Sequence, residues 1–136
     1  KNLELARATS INKKKKETSK NISPELKEKL DDAFHVKQVF KDPEITLEKL
    51  AKKLGTNRSY LSEQINHSFD SSFRTLINKL RIEEARILLV DIDFEHYSIE
   101  GIAISVGYRN ISSFNSSFKR ETGLTPSYFR KNQSKR

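Results

Sequence analysis

At 136 residues the chain has the length of one compact domain or two small lobes, and 35% apolar content can cover a modest helical core. It has no cysteine, which excludes disulfides and thiolate metal sites, and a formal charge of +8, which points to a polyanionic partner such as nucleic acid. His35, His67 and His96 are scattered without metal-site spacing, so no cofactor is expected.

No apolar run reaches the roughly 18 residues of a membrane span, and the start does not resemble a signal peptide. This segment is therefore expected in the cytoplasm, without membrane contact. The chain has no methionine. That predicts a piece of a longer protein, with an upstream sensor domain missing. Residues 1–22 hold seven Lys or Arg against two Glu, and residues 109–136 seven against one, whereas 23–108 hold twelve against fifteen acidic residues. Electrostatic contact is thus weighted to the ends.

In chain order, residues 1–22 include the run Lys13–Lys16 and few apolar side chains, which reads as a flexible basic linker or tail. Ser23-Pro24-Glu25 is a helix start, and Leu26, Leu30, Phe34, Val36 and Val39 predict an opening helix to about Phe40 within 23–44. Thr46 caps the next helix, whose stripe is Leu47, Leu50, Ala51 and Leu54, and Gly55 ends it. A third helix from Asn57 or Ser59 turns Leu61 and Ile65 inward. Residues 45–71 therefore have the outline of a helix-turn-helix.

Phe73, Leu76, Ile77, Leu80, Ala85, Leu88 and Leu89 predict one long linker helix over 72–91. Ser98, Ile99, Ile102, Ala103 and Val106, then Gly107-Tyr108, then Asn110, Phe114 and Phe118, repeat the first outline over 97–130. A basic tail over 131–136 follows.

The repeat holds in register. At an offset of 52, Thr46, Leu47, Leu50, Ala51, Leu54 and Gly55 fall on Ser98, Ile99, Ile102, Ala103, Val106 and Gly107. After one inserted residue, Leu61, Ile65, Asp70 and Leu76 fall on Phe114, Phe118, Gly123 and Phe129. Alanine at 51 and 103 allows close helix approach, and glycine at 55 and 107 allows the positive φ of a tight turn. The aromatics Phe69, Phe73, Phe114, Phe118, Tyr128 and Phe129 have core spacing rather than that of a base-stacking surface. Tyr108 is expected inward, and the Tyr60 hydroxyl within reach of a phosphate. Glu83-Glu84 and Asp91, Asp93 and Glu95 read as solvated surface, and no carboxylate pair sits beside a nucleophile, so no enzyme is expected.

The stretch Ser98-Ile-Glu-Gly-Ile-Ala-Ile-Ser-Val-Gly-Tyr108, with Ser113-Phe-Asn-Ser-Ser-Phe-Lys-Arg-Glu-Thr-Gly-Leu-Thr-Pro-Ser-Tyr-Phe-Arg130, resembles the signature of AraC/XylS-type bacterial transcription regulators. Leu80–Leu89 resembles their linker helix and Leu50–Leu61 their first reading unit. The resemblance implies an all-α fold of about seven helices, with two helix-turn-helix lobes joined by the linker helix and reading two successive major-groove segments of double-stranded DNA. Carried onto this sequence, it places Ser59, Ser62, Glu63, Ile111, Ser112, Asn115 and Ser116 toward base edges. Asn57, Arg58, Asn66, Arg109, Asn110, Lys119 and Arg120 fall near phosphates. RNA polymerase is the second implied partner. Arginine is scarce among the base-facing residues, which shifts weight to phosphate positioning, DNA shape and an Ile111 contact with a thymine methyl. The alternative is a helical protein-interaction module contacting the transcription machinery, and a third reading is an RNA binder using the basic tails.

Overall fold

The computed structural model describes residues 22–133, so the linker expected over 1–22 lies, but for Ile22, outside the described residues, as do residues 134–136. Seven α-helices are described, with no strand among these residues: α1 (Pro24–Asp31), α2 (Leu47–Leu54), α3 (Arg58–Phe69), α4 (Phe73–Leu89), α5 (Ile99–Ser105), α6 (Ile111–Thr122) and α7 (Pro126–Gln133). The chain divides into two compact units, one of residues up to 32 with 46–73 and one of 33–45 with 74 onward. No helix among the described residues is long and apolar enough to cross a membrane.

In the first unit, α1 starts where Ser23 Oγ accepts from the Leu26 amide at 3.1 Å and Pro24 opens the first turn. It packs on α2, and α2 packs on α3. Leu26, Leu30, Leu50, Ala51, Leu54, Leu61 and Ile65 are buried in this unit. Lys29 Nζ donates to the Leu54 carbonyl at 3.2 Å, satisfying an end group of α2.

The opening helix is shorter than its apolar spacing predicts. It stops at Asp31, passes through a π-helical turn over Asp32–Val36, and is followed by a left-handed Gln38 and a 3-10 turn at Val39–Lys41. Val36 is exposed rather than inward. The reason is tertiary: residues 33–45 belong to the second unit, where Arg81 of α4 donates from Nε to the Phe40 carbonyl at 2.7 Å and from Nη2 to the Asp42 carbonyl at 3.1 Å. Lys41 pairs there with Glu84 at 3.4 Å. Local periodicity contains no trace of these bonds.

In the second unit, Ile82, Ala85, Leu88 and Leu89 of α4 form one core with Ile102, Ala103, Val106, Tyr108, Phe114 and Phe118. Ring centroids step from Tyr108 to Phe114 (5.4 Å), to Phe118 (5.6 Å), to Phe129 (5.4 Å), so these aromatics fill the core at favourable tilted geometries. Phe69 and Tyr128, which share their helical spacing, are instead exposed. Arg130 of α7 donates to the carbonyls of Leu89 (3.1 Å), Phe94 (2.9 Å) and Tyr97 (2.6 Å), tying α7 to the end of α4 and to the 3-10 turn at Ile92–Phe94. Helix α7 runs to Gln133, so the first residues of the expected basic tail are helical.

Candidate nucleic-acid interface

Both units build a turn and an exposed helix by the same hydrogen bonds. Thr46 Oγ1 accepts from the Lys49 amide at 3.1 Å, and Ser98 Oγ from the Gly101 amide at 2.9 Å. Helix α2 closes through Thr56 N–H to the Ala51 carbonyl at 2.9 Å, and α5 through Tyr108 N–H to the Ala103 carbonyl at 3.0 Å. Gly55 (φ 74°) and Gly107 (φ 115°) sit at the two turns in the conformation that side chains disfavour. Asn57 and Asn110 then cap α3 and α6, each accepting through Oδ1 from the amide three residues on, at 2.9 Å. The units also end alike: Asp70 (φ 53°) after α3 and Gly123 (φ 83°) after α6 are both left-handed.

Capping fixes which side of each exposed helix faces inward. On α3 Leu61, Gln64 and Ile65 are buried, while Arg58, Ser59, Glu63 and Asn66 are exposed and Ser62 is half-buried. On α6 Phe114, Ser117 and Phe118 are buried, while Ser112, Asn115, Ser116, Lys119 and Arg120 are exposed and Ile111 is half-buried. The residues of α3 and α6 expected at base edges and phosphates thus lie on the side of each helix away from its buried residues, with Ser62 and Ile111 at its margin. Tyr60 is exposed on α3 as well.

Several of these side chains already have work in the protein. Asn57 and Asn110 spend Oδ1 on their caps, which leaves the amide nitrogen as the donor end of each side chain. Arg109 pairs with Glu44 at 3.0 Å across a largely exposed contact, which offsets part of its charge. Arg120 lies 3.4 Å from Ser117 Oγ. Behind α6, Tyr108 donates to Asn78 Oδ1 at 3.0 Å and carries the Arg81 guanidinium 5.4 Å above its ring. Burial pushes the Tyr108 phenol up from its ordinary value, against the pull of Ser117, Arg81 and Arg120. Burial likewise lowers Arg81, against Tyr108 and Asp42.

Asn115, Ser116, Lys119 and Arg120 form one wall of an open groove whose other wall is Thr125, Pro126 and Ser127 at the start of α7. Thr125 Oγ1 accepts from the Tyr128 amide at 3.2 Å. Sequence reasoning missed Thr125 and Ser127. The signal was available, because Thr125-Pro126 repeats the cap-and-proline start read correctly at Ser23-Pro24.

With that geometry in place, residues 50–132 match a helix-turn-helix domain family. The raffinose operon transcriptional regulatory protein RafR of Pediococcus pentosaceus is 36% identical over 86 residues, which is 63% of this chain and 30% of that protein. The chain thus spans less than a third of the length of this curated relative. The C-terminal domain of AraT, a response regulator from Geobacillus stearothermophilus, has 30% identity and a TM-score of 0.69, covering 81% of this chain and 86% of that one. The C-terminal domain of the two-component response regulator yesN from Fusobacterium nucleatum has 27% identity and a TM-score of 0.68, covering 77% and 97%. Match, fold and paired turn units agree: the chain belongs to the AraC-type helix-turn-helix family, the DNA-binding domain of transcriptional regulators.

Proposed function

We propose that the chain binds an operator in double-stranded DNA by placing α3 and α6 in two successive major-groove segments. The supporting observation is the repetition of cap, turn and exposed polar helix face, since a single helix of this size reads only a few base pairs. Ser59, Ser62 and Glu63 on α3, and Ile111, Ser112, Asn115 and Ser116 on α6, are assigned to base edges. Arg58, Asn66 and the amide nitrogen of Asn57, with Arg109, Asn110, Lys119 and Arg120, are assigned to phosphates. The groove between α6 and α7 adds Thr125 and Ser127 to the phosphate set, because they line it together with the cations Lys119 and Arg120. RNA polymerase, an upstream sensor domain and a cytoplasmic setting complete the reading of the longer regulator.

The test is selection of duplexes from a random pool, followed by base-resolved protection on the winner. Two protected major-groove segments about 10 base pairs apart, with nanomolar affinity at physiological salt, are expected. Equal affinity for scrambled duplexes overturns sequence-specific reading, and a single protected segment overturns reading by both units.

A further inference from the structure

The second unit has a surface whose chemistry is the opposite of a DNA-binding face. Residues 83–108 contain six acidic residues (Glu83, Glu84, Asp91, Asp93, Glu95, Glu100) and one basic residue, Arg86, in a chain that is otherwise strongly basic. Nine large apolar or aromatic side chains are exposed among the described residues. Five of them, Ile87, Val90, Ile92, Tyr97 and Ile104, fall in this same stretch, so apolar exposure and negative charge coincide.

Two parts of this stretch, the end of α4 and the loop before α5, are ordered by the fold. Ile87 lies in the last turn of α4 and Val90 directly follows the helix, with Glu83 one turn before Ile87 on the same side. Ile92 follows at the head of the 3-10 turn and is 75% exposed. Arg130 draws the carbonyls of Leu89, Phe94 and Tyr97 to one guanidinium, which holds this loop against the end of α4. The Tyr97 ring leans on the Phe94 ring at 4.7 Å and lies 3.5 Å from where a Cβ on Gly101 would sit, one turn from Ile104 on α5. Arg86, the one cation of the stretch, is occupied by Glu83 at 3.6 Å and by the Phe129 ring at 5.8 Å.

We infer that this surface docks a helix of another protein that presents apolar side chains flanked by lysine or arginine. Apolar contact provides the affinity, and Glu83, Asp93, Glu95 and Glu100 at the rim select a basic partner and speed its approach. The charge that recruits such a helix repels DNA phosphates, so partner and operator are held at once by one unit. A second copy is a poor occupant, because a two-fold pairing sets the acidic stretch against itself. The inference rests on the DNA-binding reading only in taking the exposed face of α6 as the DNA side.

The probe is a lysine–leucine amphipathic peptide of about four helical turns, titrated into isoleucine-methyl-labelled protein, both alone and bound to the selected duplex. Ile87, Ile92 and Ile104 are expected to shift together and saturate. The Ile87→Ser/Ile92→Ser variant should weaken the peptide by about tenfold while duplex affinity stays within about twofold. Asp93→Asn/Glu95→Gln should slow peptide association without changing the melting temperature. Equal shifts with short polylysine, or equal binding of a glutamate–leucine peptide, overturn the inference, as do the same shifts on raising protein concentration without peptide. A parallel loss of duplex affinity in the serine variant would assign the patch to DNA and likewise overturn it. The titration without DNA keeps its meaning even if no operator is selected.

Discussion

Gly55 and Gly107 look equivalent in sequence and are not equivalent in the folded protein. Both carry positive φ, a local requirement, and both could be read from the helix that ends before them. Around Gly55 an added Cβ meets nothing within 4 Å, whereas at Gly107 it would lie 2.6 Å from the Phe40 carbonyl oxygen and 2.7 Å from Arg81 Nε. Gly55→Ala should therefore lose about 1 kcal/mol, the cost of a left-handed alanine. Gly107→Ala should lose clearly more, because its neighbour is backbone held in place by Arg81. Urea unfolding of both variants checks this, and equal losses would mean that the Arg81 contact gives way freely. The crowding at Gly107 was not legible, since Phe40 and Arg81 are far away in the chain and no local pattern pairs them.

Helix starts were the most legible elements, because a cap is written in one side chain and the amide it accepts from. Ser23, Thr46, Ser98 and Asn110 all cap where the sequence places them, and Asn57 caps α3, whose start the sequence leaves between Asn57 and Ser59. The end of α1 was not legible, because Phe34 keeps helical spacing with Leu26 and Leu30 while being buried in a different unit from them. In the proposed complex Asn110 links structure to binding, as its Oδ1 caps α6 while its amide nitrogen is assigned to a phosphate. Asn110→Ala should cost about 1 kcal/mol and lower both melting temperature and DNA affinity. Asn110→Asp keeps an acceptor for the cap and suits the helix dipole, so the melting temperature should hold while duplex affinity drops through repulsion of phosphate. If the aspartate variant binds DNA as well as the parent, Asn110 is a cap and nothing more.

Across the whole molecule, charge is unevenly distributed between the two units. Residues 109–136 carry seven basic residues against one acidic, and Lys119 and Arg120 stand exposed beside the α6–α7 groove. The α3 face instead carries Glu63, a carboxylate that can accept from cytosine N4 and repels phosphate. This asymmetry was readable from composition, although the ion pair that binds Arg109 to Glu44, and so concentrates the available charge on Lys119 and Arg120, was not. Arg120→Ala should weaken binding to every duplex alike and flatten the log–log salt slope by about 0.9, the loss of one phosphate contact. Glu63→Ala should leave that slope unchanged or steepen it, and should change which duplex wins the selection. Measuring affinity at several salt concentrations for the selected duplex and for single-base variants separates the two effects. A uniform loss from both substitutions, with the same slope change, would mean that α3 adds affinity rather than discrimination, and the division between the units would fall.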